Sequence, residues 1–417
     1  MREKDPLHAA AQRNVLVLAA GMAALYAMVE LVFGVATITF EETGGSKSLA
    51  GLAPAIFLIC AAFAALAAGQ AMDRSGRRPV LTLGFAFGAG GCLLAALGTA
   101  SDFLVPAILG FALTGAATGT VLLSRAAAAD MFPPERRPRA IAHVLFGAVF
   151  GALLGPLVFG PLLGDDGGGS ALDLAWLGGA GFMAVGFGLA LRLKPDPREI
   201  ARALPAEGNP NDAGSEATGS VPLRVAIVAP GVPPALLAVL ACWAGMVTVM
   251  SLVGAALIDH GREHGAVFPV LAAHFVGMFA FFAVVGPVIE RIGRRRAITA
   301  GLAIIAASCV ALVPVIEQIH LVALVLFAIG LGWSLSFVAA TAELSDRAPA
   351  GQSATLIGFS DLLGSGSAAA LVAAGGFALD ALGIAAVGIG AAVLPLLAAV
   401  WISGTALRPA AGFAETS

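Results

Sequence analysis

Charge is scarce in this chain. Asp, Glu, Lys and Arg make up only 12% of its 417 residues, about half the share of an ordinary soluble domain. Too little polar surface remains for a protein of this size to stay in water. Lysine is nearly missing, with three residues against 20 arginines. No basic run resembles a nucleic-acid patch, so no nucleic-acid partner is expected. The four cysteines, Cys60, Cys92, Cys242 and Cys309, all fall in apolar segments; a secreted disulfide framework is not expected. P-loop, HExxH and GxSxG elements are missing, which removes an ATP-driven pump and the common hydrolases from consideration. The chain reads as no enzyme and as needing no tightly bound cofactor. No short apolar region followed by a small-residue cleavage site opens it, so no removable signal peptide is expected.

What the sequence does hold is apolar. Hydrophobic residues make up 59% and mean hydropathy is +0.93. They come in blocks of about 20 residues, the length of helix that crosses a hydrocarbon layer. Twelve spans are predicted: 15–38, 49–70, 80–100, 103–125, 141–163, 171–193, 233–257, 266–289, 297–315, 320–342, 353–375 and 380–402. Helices are expected because an open sheet leaves its backbone groups unsatisfied in lipid. The abundant Gly and Ala suit close helix packing. Basic residues set the orientation. With both ends inside, the exterior loops hold only Lys47 and Arg262 of the 23 basic residues. The expectation is a multi-pass protein of the bacterial inner membrane with both termini cytoplasmic.

Residues 194–222 carry Pro195, Pro197, Pro205, Pro210 and Pro222 among scattered acids. That composition reads as a flexible linker. It divides the chain into residues 1–193, the linker 194–222, and residues 223–417, with six spans on either side. The halves repeat: Gly69, Asp73, Arg74, Gly76, Arg77 and Arg78 return 217 positions later as Gly286, Glu290, Arg291, Gly293, Arg294 and Arg295. Each set follows the second span of its half. Two parallel six-span halves describe a transporter that rocks around a central site.

The segments GQAMDRSGRR (69–78) and GPVIERIGRR (286–295) resemble the signature loop of the major facilitator superfamily. The resemblance covers essentially the whole chain. It implies an all-α membrane fold of twelve transmembrane helices in two pseudo-symmetric six-helix bundles, working by alternating access. It also implies that the acid and arginines of each loop latch the inner gate. A carboxylate at a helix N-terminus and Arg fork donors can make interactions that exist in one state only.

Soft ligands gather in spans seven and eight. Cys242, Met246 and Met250 are spaced at four residues, which puts three sulfurs on one helix face. His274 and Met278 repeat that spacing in the next span. Thioether, thiol and imidazole donors without a carboxylate favour Cu(I) over hard cations. Methionine at helical spacing is also ordinary core filler. MVTVM (246–250) and HFVGM (274–278) resemble the M-x-x-x-M and H-x-x-x-M motifs of the CcoA-like branch of the superfamily. That resemblance implies copper import, with Met246, Met250, His274 and Met278 handling the metal as cargo; Cys242 is added from the helical face alone. HxxxGMF segments also resemble those of facilitators with other substrates, riboflavin-type transporters among them. His260 and His264 could collect metal at the exterior mouth, or be plain loop residues.

Glu30 lies inside span one, where an ionisable group is costly and so a functional candidate, for proton coupling or cargo contact. Arg125 and Asp130 resemble an R-x-x-x-x-D element of the same branch and are read as gate electrostatics, as is Asp361 early in span eleven. Gly147, Gly151, Gly155-Pro156 and Gly160 in span five resemble the glycine-proline helix of facilitator antiporters, with Phe159 replacing one glycine. Phe111 stands where proton-coupled drug exporters carry an arginine in span four. The leading reading is a monomeric copper importer in contact with membrane lipid. The alternatives are a proton-coupled exporter of small organic compounds and a vitamin importer of the riboflavin type.

Overall fold

The computed structural model describes residues 6–46, 49, 52–163, 170–203, 221–262, 267–349 and 351–405. The described residues hold helices and no strand, in the order α1 (Pro6–Glu42), α2 (Leu52–Ser75), α3 (Arg77–Ala100), α4 (Leu104–Val121), α5 (Ser124–Asp130), α6 (Arg137–Leu163), α7 (Ser170–Ala190) and the short α8 (Pro197–Ala203) and α9 (Leu223–Ala226). Then follow α10 (Val232–Asp259), α11 (Val267–Phe275), a π turn (Val276–Ala280), α12 (Phe282–Ile292), α13 (Arg294–Val315), α14 (Ile319–Arg347), α15 (Ser353–Leu382) and α16 (Ile384–Thr405). Eleven of the described helices, or helix pairs, are long and apolar enough to cross a membrane, and α11 with α12 makes a twelfth.

Small residues set the spacing of these helices. Lipid tails are as apolar as leucine, so helices associate in a bilayer by close packing rather than by hydrophobic exclusion. In the first half, Gly147 and Gly151 of α6 lie against the Ala19 and Ala23 carbonyls of α1, and Gly119 of α4 against the Ala61 carbonyl of α2. In the second, Gly301 of α13 meets the Gly332 carbonyl of α14, and Gly277 meets the Phe327 carbonyl. Trp176 of α7 is fully buried and donates its indole N–H to Thr39 Oγ1 of α1 at 2.9 Å. Phe111 packs beside it, ring centroids 6.0 Å apart.

Three expectations need correction. Span eight is not one straight helix: α11 and α12 meet at 52° across the π turn. A π turn inserts a residue into the helical ladder, and bends concentrate at such places. Span four breaks at Leu122–Leu123, so that Ser124 opens a second short helix, α5, with Arg125 next in it. The linker is docked where it begins. Asn14 Nδ2 donates to the Pro195 carbonyl at 3.0 Å, and Arg198 Nη1 to the Arg74 carbonyl at 2.7 Å. Residues 204–220 of the linker lie outside the described residues.

The α1–α6 contact yields a prediction. A side chain at Gly147 would place Cβ 1.9 Å from the Ala19 carbonyl oxygen, whereas nothing lies within 4 Å of one at Gly90. Gly147→Val should cost about 1–3 kcal/mol or more and lower the unfolding temperature of the purified protein by several degrees. Gly90→Val should leave that temperature within a degree or so, and equal shifts for the two would remove the packing argument.

Candidate functional site: the gate and the space above it

The first signature loop turns on one residue. Gly76 has φ +96°, a conformation side chains other than glycine rarely adopt, and it lets α3 start as soon as α2 ends. Arg77, first in α3 and 3% exposed, is thereby aimed into the protein. Its guanidinium reaches Asp73 Oδ1 at 3.1 Å, Asp130 Oδ2 at 2.7 Å and the Met72 carbonyl at 3.0 Å. It also reaches across to the other half, donating to Ser353 Oγ at 3.3 Å, and Ser353 donates in turn to Asp130 Oδ1 at 2.7 Å. Asp73 accepts the backbone N–H groups of Thr355 (2.7 Å) and Ala354 (3.3 Å) in the first turn of α15. The free amides and dipole at a helix N-terminus favour an anion there. Gly69 lets the backbones close up, being seated on the Ala354 carbonyl.

The second loop has the same residues and a different bonding pattern. Gly293 also turns at positive φ, +85°. Arg294 pairs with Asp346 and lies 3.7 Å from Glu343, both at the end of α14, and donates to the Pro134 carbonyl of the other half. Glu290 does not pair with Arg294 as Asp73 does with Arg77; its partner is Arg139 of α6, at 2.9 Å. Arg137 crosses to Asp346, and Gly286 packs on the backbone of Arg139. Arg74, Arg291 and Arg295 are exposed and Arg78 half-buried; none makes an ion pair among the described residues. The sequence thus names more gate arginines than the bonding uses. It also passed over Ser353, Arg137, Arg139, Glu343 and Asp346. The acids and arginine of ELSDR (343–347), charged residues crowded at one span end, were the available signal.

Deeper in, Arg125 of α5 is fully buried and paired with Asp361 of α15 in the other half. Arg125 and Asp130 were read together; they are separated, one serving Asp361 and the other Arg77. Arg125 Nη1 also donates to the Leu122 carbonyl at 2.9 Å, and its guanidinium lies 4.7 Å from the Phe337 ring centre. A cation over an aromatic face gains from the ring quadrupole. Arg125 Nε and Asp361 Oδ2 have no hydrogen-bond partner among the described residues. Above the pair a run of rings begins. Phe337 stacks on Trp333 at 4.6 Å, Trp243 of α10 stands edge-on to Trp333 at 5.7 Å, and Phe282 lies 6.4 Å from Trp333. Phe279 of the π turn continues the run, and Tyr26 of α1 closes it from the first half at 5.1 Å. Tyr26 is within electrostatic reach of Arg125, Glu30 and Asp361. Unlike Trp176, both Trp243 and Trp333 bury their indole N–H with no acceptor among the described residues.

The sulfur and imidazole groups are placed as follows. Cys242 and Met246 are buried in α10 and Met250 is half-buried; Cys242 Sγ donates to the Val239 carbonyl of its own helix at 3.2 Å. His274 is fully buried and Met278 is 6% exposed. His274 Nδ1 lies 2.9 Å from the Leu326 carbonyl, which ties the ring to α14, while Nε2 has no partner among the described residues. No hydrogen bond among the described residues joins the α10 sulfurs to His274 or Met278. His260 turns back on the Ala256 carbonyl at 2.7 Å, and His264 lies outside the described residues. Glu30 is half-buried, one turn beyond Tyr26 on α1. The side chains of Gly155-Pro156 and Phe159 lie outside the described ones.

Every cross-half bond above lies between the arginine-rich face and the Arg125–Asp361 pair, so the protein is closed at that face. Residues 18–373 match the Major Facilitator Superfamily. The chain belongs to this superfamily. It is a transporter, not an enzyme. It is 28% identical over 335 residues to the uncharacterized MFS-type transporter YdeG of Bacillus subtilis (strain 168), covering 79% of this chain and 77% of that one. It is 27% identical over 344 residues to the riboflavin transporter RfnT of Brucella anthropi, covering 81% of each. Among solved structures it resembles the proton:xylose symporter XylE bound to 6-bromo-6-deoxy-D-glucose. The TM-score is 0.74 at 13% identity, over 95% of this chain and 96% of that one.

If Arg77 is the latch, removing it should open the closed face. Arg77→Ala strips Asp130 and Asp73 of a buried charge-assisted partner. Of the bonds Arg77 makes, only that to Ser353 joins the halves, and losing about 1 kcal/mol there would raise the population open at that face about fivefold. Electron–electron distance measurements between spin labels at the adjoining ends of α2 and α15 should show a longer component. Arg74→Ala should leave the distribution as in wild type. An unchanged distribution in Arg77→Ala would sink the latch assignment.

Proposed function

We propose that this facilitator takes up a small planar aromatic solute, riboflavin-like in chemistry, across the bacterial inner membrane. The observation that carries the reading is the ring run from Tyr26 to Phe337, with two buried indole N–H groups left without acceptors. A buried donor without a partner costs about 1–3 kcal/mol, a cost that a bound molecule bearing acceptor groups removes. Flat rings stack on Trp333 and Phe279, and carbonyl or ring-nitrogen acceptors on the same molecule meet the indoles. The similarity to a riboflavin transporter, whose name states its cargo, supports the same chemistry. The arginine-rich face is the cytoplasmic one by the bias of basic residues, so both termini are cytoplasmic and the closed gate faces inward. Cargo enters from outside, and Arg125 and Asp361 form the floor that separates when the halves rock. One monomer contains the whole path.

Copper import is the second reading, and one observation favours it. The unpartnered Nε2 of buried His274, with Met278 one turn away, offers a nitrogen and a sulfur donor suited to Cu(I). Met246, Met250 and Cys242 would have to approach from α10.

Proteoliposomes separate the two. Tritiated riboflavin and radiocopper are supplied in parallel under an inward proton gradient. Saturable flavin uptake is expected. Trp333→Phe should raise KM about fivefold, the worth of about one hydrogen bond of 1 kcal/mol, and Trp333→Ala should abolish uptake. Copper uptake lost in Met246→Ala/His274→Ala would replace this reading with the second. Flavin uptake insensitive to both Trp333 substitutions would refute the assignment of the aromatic site.

A further inference from the structure

A groove of about 870 Å³ lies on the first half at its arginine-rich face, where the start of α3, the end of α7 and the docked head of the linker meet. None of its lining residues belongs to the ring run or to the Arg125–Asp361 pair. Its floor is apolar: Leu83 (51% exposed), Phe187 (37%) and Leu191 (41%). Leu83 lies five residues into the membrane from Arg78, about 7 Å deeper at 1.5 Å per residue. Its rim holds four charged residues: Arg78, Lys194, Asp196 and Glu199.

The acids of the rim are occupied locally. Asp196 accepts the backbone N–H groups of Arg77 (3.2 Å), Arg78 (2.8 Å) and Arg198 (2.8 Å). Glu199 Oε2 accepts the N–H of Asp196 at 3.2 Å. The cations are not occupied. The Arg78 guanidinium and Lys194 ammonium make no ion pair among the described residues; the Lys194 carbonyl alone is used, by Arg13. Two free cations stand at headgroup level over a trough of exposed leucine and phenylalanine at acyl-chain level. That is the layout of a phospholipid molecule in its own leaflet.

We propose that this groove binds one anionic phospholipid. Arg78 and Lys194 hold its phosphodiester, and an acyl chain lies along Leu83, Phe187 and Leu191. A soluble anion would leave that apolar floor unused. The bound headgroup would sit beside Asp196, which fixes the first amides of α3, so the lipid supports the helix end that aims Arg77 at the gate.

The test uses the full-length protein in detergent, titrated with phosphatidylglycerol or phosphatidylcholine and read by native mass spectrometry. Each cation near an anionic lipid surface is worth about fivefold in affinity. Wild type should therefore bind the first phosphatidylglycerol at least tenfold more tightly than phosphatidylcholine, and Arg78→Ala/Lys194→Ala should lose that preference. Equal affinity for the two lipids, or a preference intact in the double variant, would overturn the proposal. A photoactivatable phosphatidylglycerol tests the wild-type protein without any substitution. Labelling of peptides from α3 and α7 is expected, and labelling confined to other helices would overturn it.

Discussion

A guanidinium cannot be left alone in a low-dielectric interior. Arg77 and Arg125 are each almost wholly buried, and removing a charge from water costs several kcal/mol unless a partner of opposite charge and further hydrogen bonds replace it. Here the replacement is divided between the halves. Arg77 has its acids in the first half but shares Ser353 with the second, and Arg125 depends on Asp361 of the second half. The charge balance of Arg125 is therefore complete only when the halves are together on the arginine-rich side, and Arg77, balanced within its own half, gains there one further hydrogen bond. Parting the halves at that side would leave Arg125 and Asp361 each without its charged partner, a cost that water or other groups would have to offset.

The small residues serve the same requirement. Asp73 reaches the end of α15 because Gly69 lets α2 ride on the backbone of that helix, and Gly76 lets Arg77 follow within one residue of the turn. A bulkier chain at either place would hold the helices apart, and a hydrogen bond stretched by an ångström has lost most of its strength. Packing and electrostatics are one constraint in this protein.

Much of the fold was legible in the sequence, because span length, apolar content and the 217-residue repeat are direct consequences of bilayer thickness and pseudo-symmetry. The repeat also located both signature loops. What it could not convey is that equal residues make unequal bonds. Asp73 and Glu290 occupy equivalent positions, yet one meets the amides of α15 and the other Arg139 of α6, since each reaches into the opposite half and the two halves present different groups there. The bend in span eight was hidden because a π turn leaves no mark on hydropathy. The ring run was missed for a similar reason. Phenylalanine and tryptophan in an apolar span look like core, and only coordinates tell a satisfied indole such as Trp176 from an unsatisfied one such as Trp333. The i, i+4 sulfur pattern was visible, but spacing along a helix does not say which neighbour the face meets.

The second half's share of the Asp73 contact includes the amides of Ala354 and Thr355, beside the Thr355 side chain. Main-chain donors are common to all residues but proline, so substitution drift at Ala354 can change the side chain and leave its part of the contact whole. The closure is thus tolerant at one position and exacting at its neighbours. Ser353 lends a hydroxyl to Arg77 and Asp130, while position 354 lends only its place in the helix. Two such chains could share this closure with different residues at 354, so long as the hydroxyl at 353 is kept.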